Sequence, residues 1–449
     1  MKPFTLEEIA AACGGKYVGD AEKKQLCITS VERDSRCIKD GSLFLAIKGE
    51  RVDGHDYIEK CFESGACCAV CKKPPINVQK PYILVDSTLE AVKKIAKAYR
   101  EKFNIPIVGV SGSVGKTSTK EMLYAVLSQK FKTHKTEGNL NNELGVPLTI
   151  LSMPENTEAA VIEMGISDFG EMSRLAQIVQ PTVCVLTIIG CCHLENLGDR
   201  DGVCKAKTEM FKFAADNAEF VLNGDDDKLV QITDVNGKKP IFFGLKNSNR
   251  YYAENIKNNG EGGVSCTLCA DGDKFDVVIP AIGNYMVSNA LAAVAVGRIL
   301  GLSDEQLKSG VEAYKTVGSR AHVINTGRIR IIDDCYNANP TSVKASLDTL
   351  SNFDGRKIAV LGDMKELGKE DLKLHFDTGV YAKSKSDVVI SIGELSKELA
   401  KGAKGKWFAD IESAKPEILS QIKDGDTVLV KASHSMQFEK IVEFLKANF

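Results

Sequence analysis

A chain of 449 residues is too long for one core and implies two to four domains. With 43% hydrophobic residues, 26% charged residues and a formal net charge of −2, the composition is that of an ordinary globular protein, and no global basic field argues for nucleic acid. No apolar run approaches the roughly 20 residues that span a bilayer. The amino terminus, MKPFTLEEIAAACGG, is acidic and amphipathic, unlike a signal peptide, and no lipidation signal is evident, so the cytoplasm is the expected compartment.

The first hundred residues carry the short strand patterns SLFLAIKG, CCAVC and PYILV, then helical spacing over residues 88–103. This is a small α/β unit. At residues 104–112 a β-branched strand runs into a glycine turn, followed by a helix over residues 116–131. Apolar strands recur at 159–164, 182–188 and 218–223, with helical stretches between the earlier ones. That alternation predicts a mostly parallel sheet covered on both faces. A β-rich stretch around residues 250–280 and an alanine-rich helix over 289–300 complete the unit. From residue 318 a third unit alternates the strands RIRIID, KIAVLG, DVVISIG, KWFA and TVLVKA with helical patterns, Rossmann-like but lacking G-x-G-x-x-G after its first strand. The expected fold is α/β in three domains, residues 1–103, 104–317 and 318–449.

The fourteen cysteines include two C-x-x-C spacings, Cys68/Cys71 and Cys266/Cys269. The second pair sits in a strand pattern, where residues three apart face opposite ways and cannot clasp one metal. Free thiols in a reducing compartment are expected instead.

The chemistry concentrates in GVSGSVGKTS, residues 109–118. The general phosphate-loop pattern G-x-x-x-x-G-K-[ST] would want glycine where Val110 stands. The position is nonetheless right: a strand-to-helix junction presents unpaired amides and the positive end of the helix dipole. Gly112 and Gly115 would let the backbone approach an anion, Lys116 would reach the β/γ-phosphates, and Thr117 would offer a hydroxyl to Mg²⁺. A glycine turn that merely caps a helix is the plain alternative. Glu163, ending the apolar strand of VIEMG, is the expected Mg²⁺ carboxylate. His193 follows another strand, and its spacing leaves structural and ligand roles open. Lys205 and Lys207 read as an ordinary basic helix face.

The loop SGSVGKT (111–117) and nine further motifs in order then resemble a known family: DSR (34–36), GSLFLAIKGERVDGHDY (41–57), TEGNLNNELGVPLT (136–149), IEMG (162–165), HLENLG (193–198), KAKTEMF (205–211), DDCYNANP (333–340), LGDMKELG (361–368) and VKASHSM (430–436). The chain resembles the ATP-dependent Mur ligases of peptidoglycan synthesis. Within them, D-D-x-Y-N-A-N-P points to those adding D-alanyl-D-alanine to UDP-N-acetylmuramoyl-tripeptide through an acyl phosphate. The family's shortened loop, T/S-G-x-x-G-K-T, accounts for Val110. The resemblance implies a UDP-sugar-binding amino-terminal domain, a central ATPase domain and a carboxy-terminal Rossmann-like domain.

It also implies residue roles. Gly112, Ser113, Gly115, Lys116, Thr117 and Ser118, with Asn289, Arg320 and Asp334, would bind ATP. Thr117, Glu163, His193 and Lys207 would hold two Mg²⁺ ions, Lys207 as a carbamate, and Lys116 would join Glu163, His193 and Lys207 in catalysis. Ser35 and Arg36 would lie on the uridine side, Asn141 and Asn142 toward the UDP-sugar, and Tyr336 and Asn337 toward the dipeptide. The chain departs from the family at Tyr285 and Met286, where relatives carry His and Asn, and at Ala432 and His434 within K-G-S-R-x-M. Its partners are expected to be small molecules, with no nucleic acid and no membrane span, and the chain to be a monomer. Alternatives are a sibling ligase adding diaminopimelate or lysine, a folylpolyglutamate synthetase, a P-loop NTPase of another class, and a binding protein without catalysis.

Overall fold

The computed structural model describes residues 1–76 and 79–449. Its strands gather into sheets of five, nine and six, and the expected three-unit α/β architecture is what forms. In the first sheet the order is Lys16–Val18, Tyr82–Leu84, Cys68–Cys71, Ser42–Leu45, Ser30–Glu32, parallel except for the first pair. The central sheet has a parallel body of Thr133–Lys135, Ala159–Glu163, Ile107–Ser111, Val183–Leu186, Glu219–Asn223, Ile241–Phe243 and Tyr251–Asn258. The antiparallel strands Val264–Ala270 and Asp273–Ile279 close its far edge. The third sheet runs His322–Asn325, Arg330–Asp333, Thr427–Lys431, Lys357–Gly362, Val388–Ile392, Lys406–Phe408, with only the first pair antiparallel.

Several of these strands had no counterpart in the sequence patterns. Lys16–Val18, Ser30–Glu32, Thr133–Lys135 and Ile241–Phe243 are three residues each, too short for a period-two alternation to register. The phosphate-loop helix ends at Leu127, and the alanine-rich helix begins at Tyr285, earlier than expected. That second helix is apolar nearly all round because it is buried from Met286 through Gly297, save Ser288. All fourteen cysteines are free, and Cys266 and Cys269 are buried on one strand. Among the described residues no helix is long and apolar enough to cross a membrane.

The first unit and one face of the central sheet share a single core. Phe4, Tyr99 and Phe103 belong to the same apolar cluster as Ile150, Met153 and Ile162, and the Tyr99 hydroxyl donates to the Met153 carbonyl at 2.9 Å. Arg100 pins the same junction. Its buried guanidinium donates to the carbonyls of Val179 (2.8 Å), Phe103 (2.8 Å) and Gln180 (3.1 Å). Arg100→Ala would strand those carbonyls, so a loss of about 3 kcal/mol is expected in a denaturant melt. Lysine, lacking the planar fork, should recover only part of it.

Candidate active site

The strand Ile107–Ser111 is buried at all five positions and delivers the chain to a sharp turn. Gly112 takes φ +148°, and a Cβ there would sit 2.0 Å from the Thr187 hydroxyl on the neighbouring strand's exit. Gly115 takes φ +86° and caps the helix Lys116–Leu127 without a side chain. Glycine is therefore required at both positions, at the first by Thr187 and at the second by the left-handed cap. The Lys116 ammonium reaches back across the loop to the Gly112 carbonyl at 2.9 Å. The Ser113 hydroxyl donates to the Gly190 carbonyl at 3.2 Å and accepts from the Cys192 thiol at 3.1 Å, so it faces the 190–192 segment.

Glu163 ends its strand beside the loop, 1% exposed. One carboxylate oxygen, Oε1, accepts from the Thr117 hydroxyl (3.1 Å) and the Asn141 amide (2.7 Å). The other, Oε2, is buried with no hydrogen-bond partner, and the nearest ammonium, that of Lys120, lies 3.8 Å away. Lys120 is itself buried and also pairs with Glu121 at 3.1 Å. It sits four residues after Lys116 on the same helix face, a spacing the sequence offered but which drew no role. Asn141 thus holds Glu163, while Asn142 accepts from the Gly145 amide at 2.8 Å and starts the next helix.

The reading of Lys205 and Lys207 as a basic helix face does not hold. Lys205 is exposed, but Lys207 is wholly buried and its ammonium has no hydrogen-bond partner. Burial pushes its pKa down to about 8, with Lys116 adding to the effect and Cys192 opposing it. His193 stands beyond its strand as the cap of the short helix Leu194–Leu197, in a left-handed backbone conformation at φ 51°. Burial holds its imidazole below the usual range; the Glu366 carboxylate opposes this, and the Lys207 and Lys116 ammoniums add to it.

The third unit supplies the opposite wall. DDCYNANP leaves the strand Arg330–Asp333 and runs through Asn339, which caps the helix Pro340–Ser351 through the Ser342 amide at 2.8 Å, with the motif's last residue, Pro340, in the first turn. Asp334 accepts from Ser346 (2.6 Å), from the Ala321 amide (3.2 Å) and from buried Lys431 (2.5 Å). Lys431 also donates to the Asn337 carbonyl at 2.9 Å. Lys431 has no role in the sequence reading, although it ends the strand Thr427–Lys431 inside the motif VKASHSM. The Arg320 guanidinium lies 3.7 Å from the centre of the Tyr336 ring, and His434 lies against that ring at 5.8 Å.

These pieces face one cavity of about 940 Å³. Its lining includes Ser113, Gly115, Lys116, Thr117, Ser118, Asn141, Asn142, Glu163, His193 and Asn289 from the central unit, and Arg320, Asp334, Tyr336, Asn337 and Lys431 from the third. The first unit contributes Ile47, Lys48 and Gly49. Ser35 and Arg36 are not among the lining residues; Arg36 pairs with Asp34 at 2.6 Å on an exposed turn. Asn289 accepts from the Thr119 hydroxyl at 3.0 Å and donates to the Met286 sulfur at 3.4 Å, so Met286 supports Asn289 from within the helix. Among the described residues no three His, Cys, Asp or Glu side chains converge as a ready-made metal cage.

A phosphate loop on a parallel sheet, facing a Rossmann-like unit across a cavity that a third α/β unit also lines, defines a nucleotide-dependent enzyme with room for several substrates. Family descriptions agree along the chain: "Mur ligase family, catalytic domain" matches residues 27–100, "Mur ligase middle domain" 110–297, and "Mur ligase, glutamate ligase domain" 319–434. The UDP-N-acetylmuramoyl-tripeptide–D-alanyl-D-alanine ligase of Bacillus subtilis is 36% identical over 98% of each chain. The crystal structure of MurF from Acinetobacter baumannii superposes with a TM-score of 0.91 at 30% identity, covering 100% of this chain and 99% of that one. MurF from Thermotoga maritima, solved in complex with ADP, gives 0.83 at 30% identity over 93% and 97%. The chain belongs to the Mur ligase family, in its MurF branch.

Proposed function

We propose that this protein joins D-alanyl-D-alanine to UDP-N-acetylmuramoyl-tripeptide in peptidoglycan precursor synthesis, converting ATP to ADP and phosphate. One observation carries the reading: the phosphate loop, the segment that follows a first-unit strand and the Asp334–Lys431 pair all line a single cavity. That suits a reaction in which nucleotide, acid and amine must meet. On this reading residues 1–103 hold the UDP-sugar, 104–317 the ATP, and 318–449 close over both, with the enzyme working as a monomer in the cytoplasm.

The chemistry explains the residues. Carboxylate oxygen is a poor leaving group, so the acid must be activated. A tripeptide carboxylate oxygen attacks the γ-phosphorus, the bond to the ADP oxygen breaks, and an acyl phosphate forms. The dipeptide amine then attacks the acyl carbon, loses a proton and releases phosphate. The first encounter sets anion against anion, a repulsion of roughly 4 kcal/mol at about 4 Å and an effective dielectric of 20. Lys116 and the amides of Gly112 through Thr117 at the helix start offset it.

Glu163 fits a divalent cation, because Oε2 is buried without a hydrogen-bond partner while Thr117 and Asn141 fix Oε1. Mg²⁺ takes one or two protein carboxylates and completes its shell with water and substrate phosphates. When bound, Mg²⁺ supplies neutralising charge on the transferring phosphoryl group. His193 and Lys207, the latter as a carbamate, are the candidates for a second ion, and Lys207 gains a use for its unpartnered nitrogen that way. Asn289, Arg320 and Asp334 serve the nucleotide, Tyr336 and Asn337 the dipeptide, Asn142 the UDP-sugar, and Ser35 and Arg36 the uridine side.

The test is to mix ATP, Mg²⁺, D-alanyl-D-alanine and, in separate tubes, the diaminopimelate- and lysine-containing UDP-muramoyl-tripeptides. Pentapeptide and phosphate in either tube support the reading. ADP released at full rate without the dipeptide would favour an NTPase of another class. Arg320→Ala, removing one charged contact to the nucleotide, is expected to raise the KM for ATP about tenfold, read from initial rates.

A further inference from the structure

LGDMKELG, residues 361–368, is a motif to which the proposed reaction gives no part. It leaves the third unit's strand Lys357–Gly362 and crosses to the central unit. There Glu366 Oε2 lies 2.5 Å from Nδ1 of His193. The Glu195 amide points at the Glu366 carbonyl from 3.5 Å, from the second residue of the helix that His193 caps. Gly368 presses on the same spot: a Cβ there would stand 3.2 Å from the Glu195 backbone. His193 and Glu366 are both non-glycine residues held in the left-handed region, at φ 51° and 64°. Such conformations persist only where the surroundings enforce them.

We infer that Glu366 is a positioning residue for His193, reaching across from the carboxy-terminal unit to fix the imidazole so that Nε2 faces the phosphate site. The inference rests on the proposal that His193 ligates a second cation. A carboxylate at Nδ1 favours the tautomer with its proton there, which leaves the Nε2 lone pair free and makes it more basic. Metal-ligating histidines commonly have such an outer partner, and its loss weakens metal binding about 10–100-fold. Here the partner comes from a different unit than the ligand. Seating the carboxy-terminal unit and completing the second cation site thereby become one event.

The experiment uses the full chain with a non-hydrolysable ATP analogue and UDP-muramoyl-tripeptide, titrated with Mn²⁺ and followed by electron paramagnetic resonance. Glu366→Ala should bind the first ion as wild type does and the second about 10–100-fold more weakly, with nucleotide affinity and melting temperature unchanged. His193→Ala serves as the reference for loss of the second ion. If His193→Ala loses that ion and Glu366→Ala titrates like wild type, the positioning role is overturned while the ligand reading stands. If His193→Ala keeps both ions, the ligand reading itself falls, and the positioning role with it.

Discussion

Lys116→Ala is expected to lower kcat/KM for ligation by about a thousandfold and to leave the protein folded. The size follows from the electrostatics: one ammonium about 4 Å from a phosphoryl oxygen contributes roughly 4 kcal/mol at an effective dielectric of 20, and each 1.4 kcal/mol is a factor of ten. The tolerance of the fold follows from the geometry. Lys116 is partly exposed, and its ammonium makes one hydrogen bond, to the Gly112 carbonyl. It is also the first residue of its helix, where positive charge opposes the dipole. Removing it should therefore be neutral or slightly stabilising, with the melting temperature moving by no more than about 2 °C. Steady-state kinetics beside a thermal melt checks both halves. A folded Lys116→Ala protein that still ligates at the wild-type rate would mean the loop holds something other than the transferring phosphate.

How far the sequence could be read depended on whether the chemistry was local. The phosphate loop was legible because strand, glycines, lysine, threonine and helix fall within 104–131, and each is required by its neighbours. Glu163 was legible because ending a strand on a carboxylate is itself a local signal. The pairing of Asn141 with Glu163 spans 22 residues and depends on how a loop folds back, which no periodicity encodes. The Asp334–Lys431 pair spans 97 residues and exists only because two strands of the third sheet are neighbours. Two of the expected sites met different fates. Ser113 lines the cavity with its hydroxyl bonded to Gly190 and Cys192 outside the loop, and Ser35 and Arg36 lie on a turn that is not part of the cavity lining. Four short strands, three at sheet edges and Ile241–Phe243 inside its sheet, were missed because three residues carry too little pattern.

Lys207 was the residue whose environment the sequence most misrepresented, and replacing it should separate stability from function. A helix reading KAKT suggests two solvated lysines, yet positions 205 and 207 lie about 200° apart around the axis, and only the first faces water. A wholly buried ammonium with no partner is destabilising. Lys207→Met keeps an unbranched side chain as far as Cε and removes the unpaired nitrogen, so in CO₂-free buffer it should raise unfolding stability by about 1–3 kcal/mol. Ligation by the same variant should fall at least about a hundredfold if the proposed carbamate forms there, because its nitrogen is gone. Burial that holds the amine near pKa 8 keeps about a tenth of it neutral at pH 7, the form that adds CO₂ and releases a proton. Lys207→Ala offers the complementary check: short carboxylates such as formate or acetate should enter the space left and restore part of the rate. A methionine variant that is both more stable and fully active would make Lys207 a packing residue and remove the carbamate from the mechanism. One that is more stable yet inactive, with its alanine counterpart rescued by added carboxylate, would tie the buried nitrogen to the chemistry of the cavity.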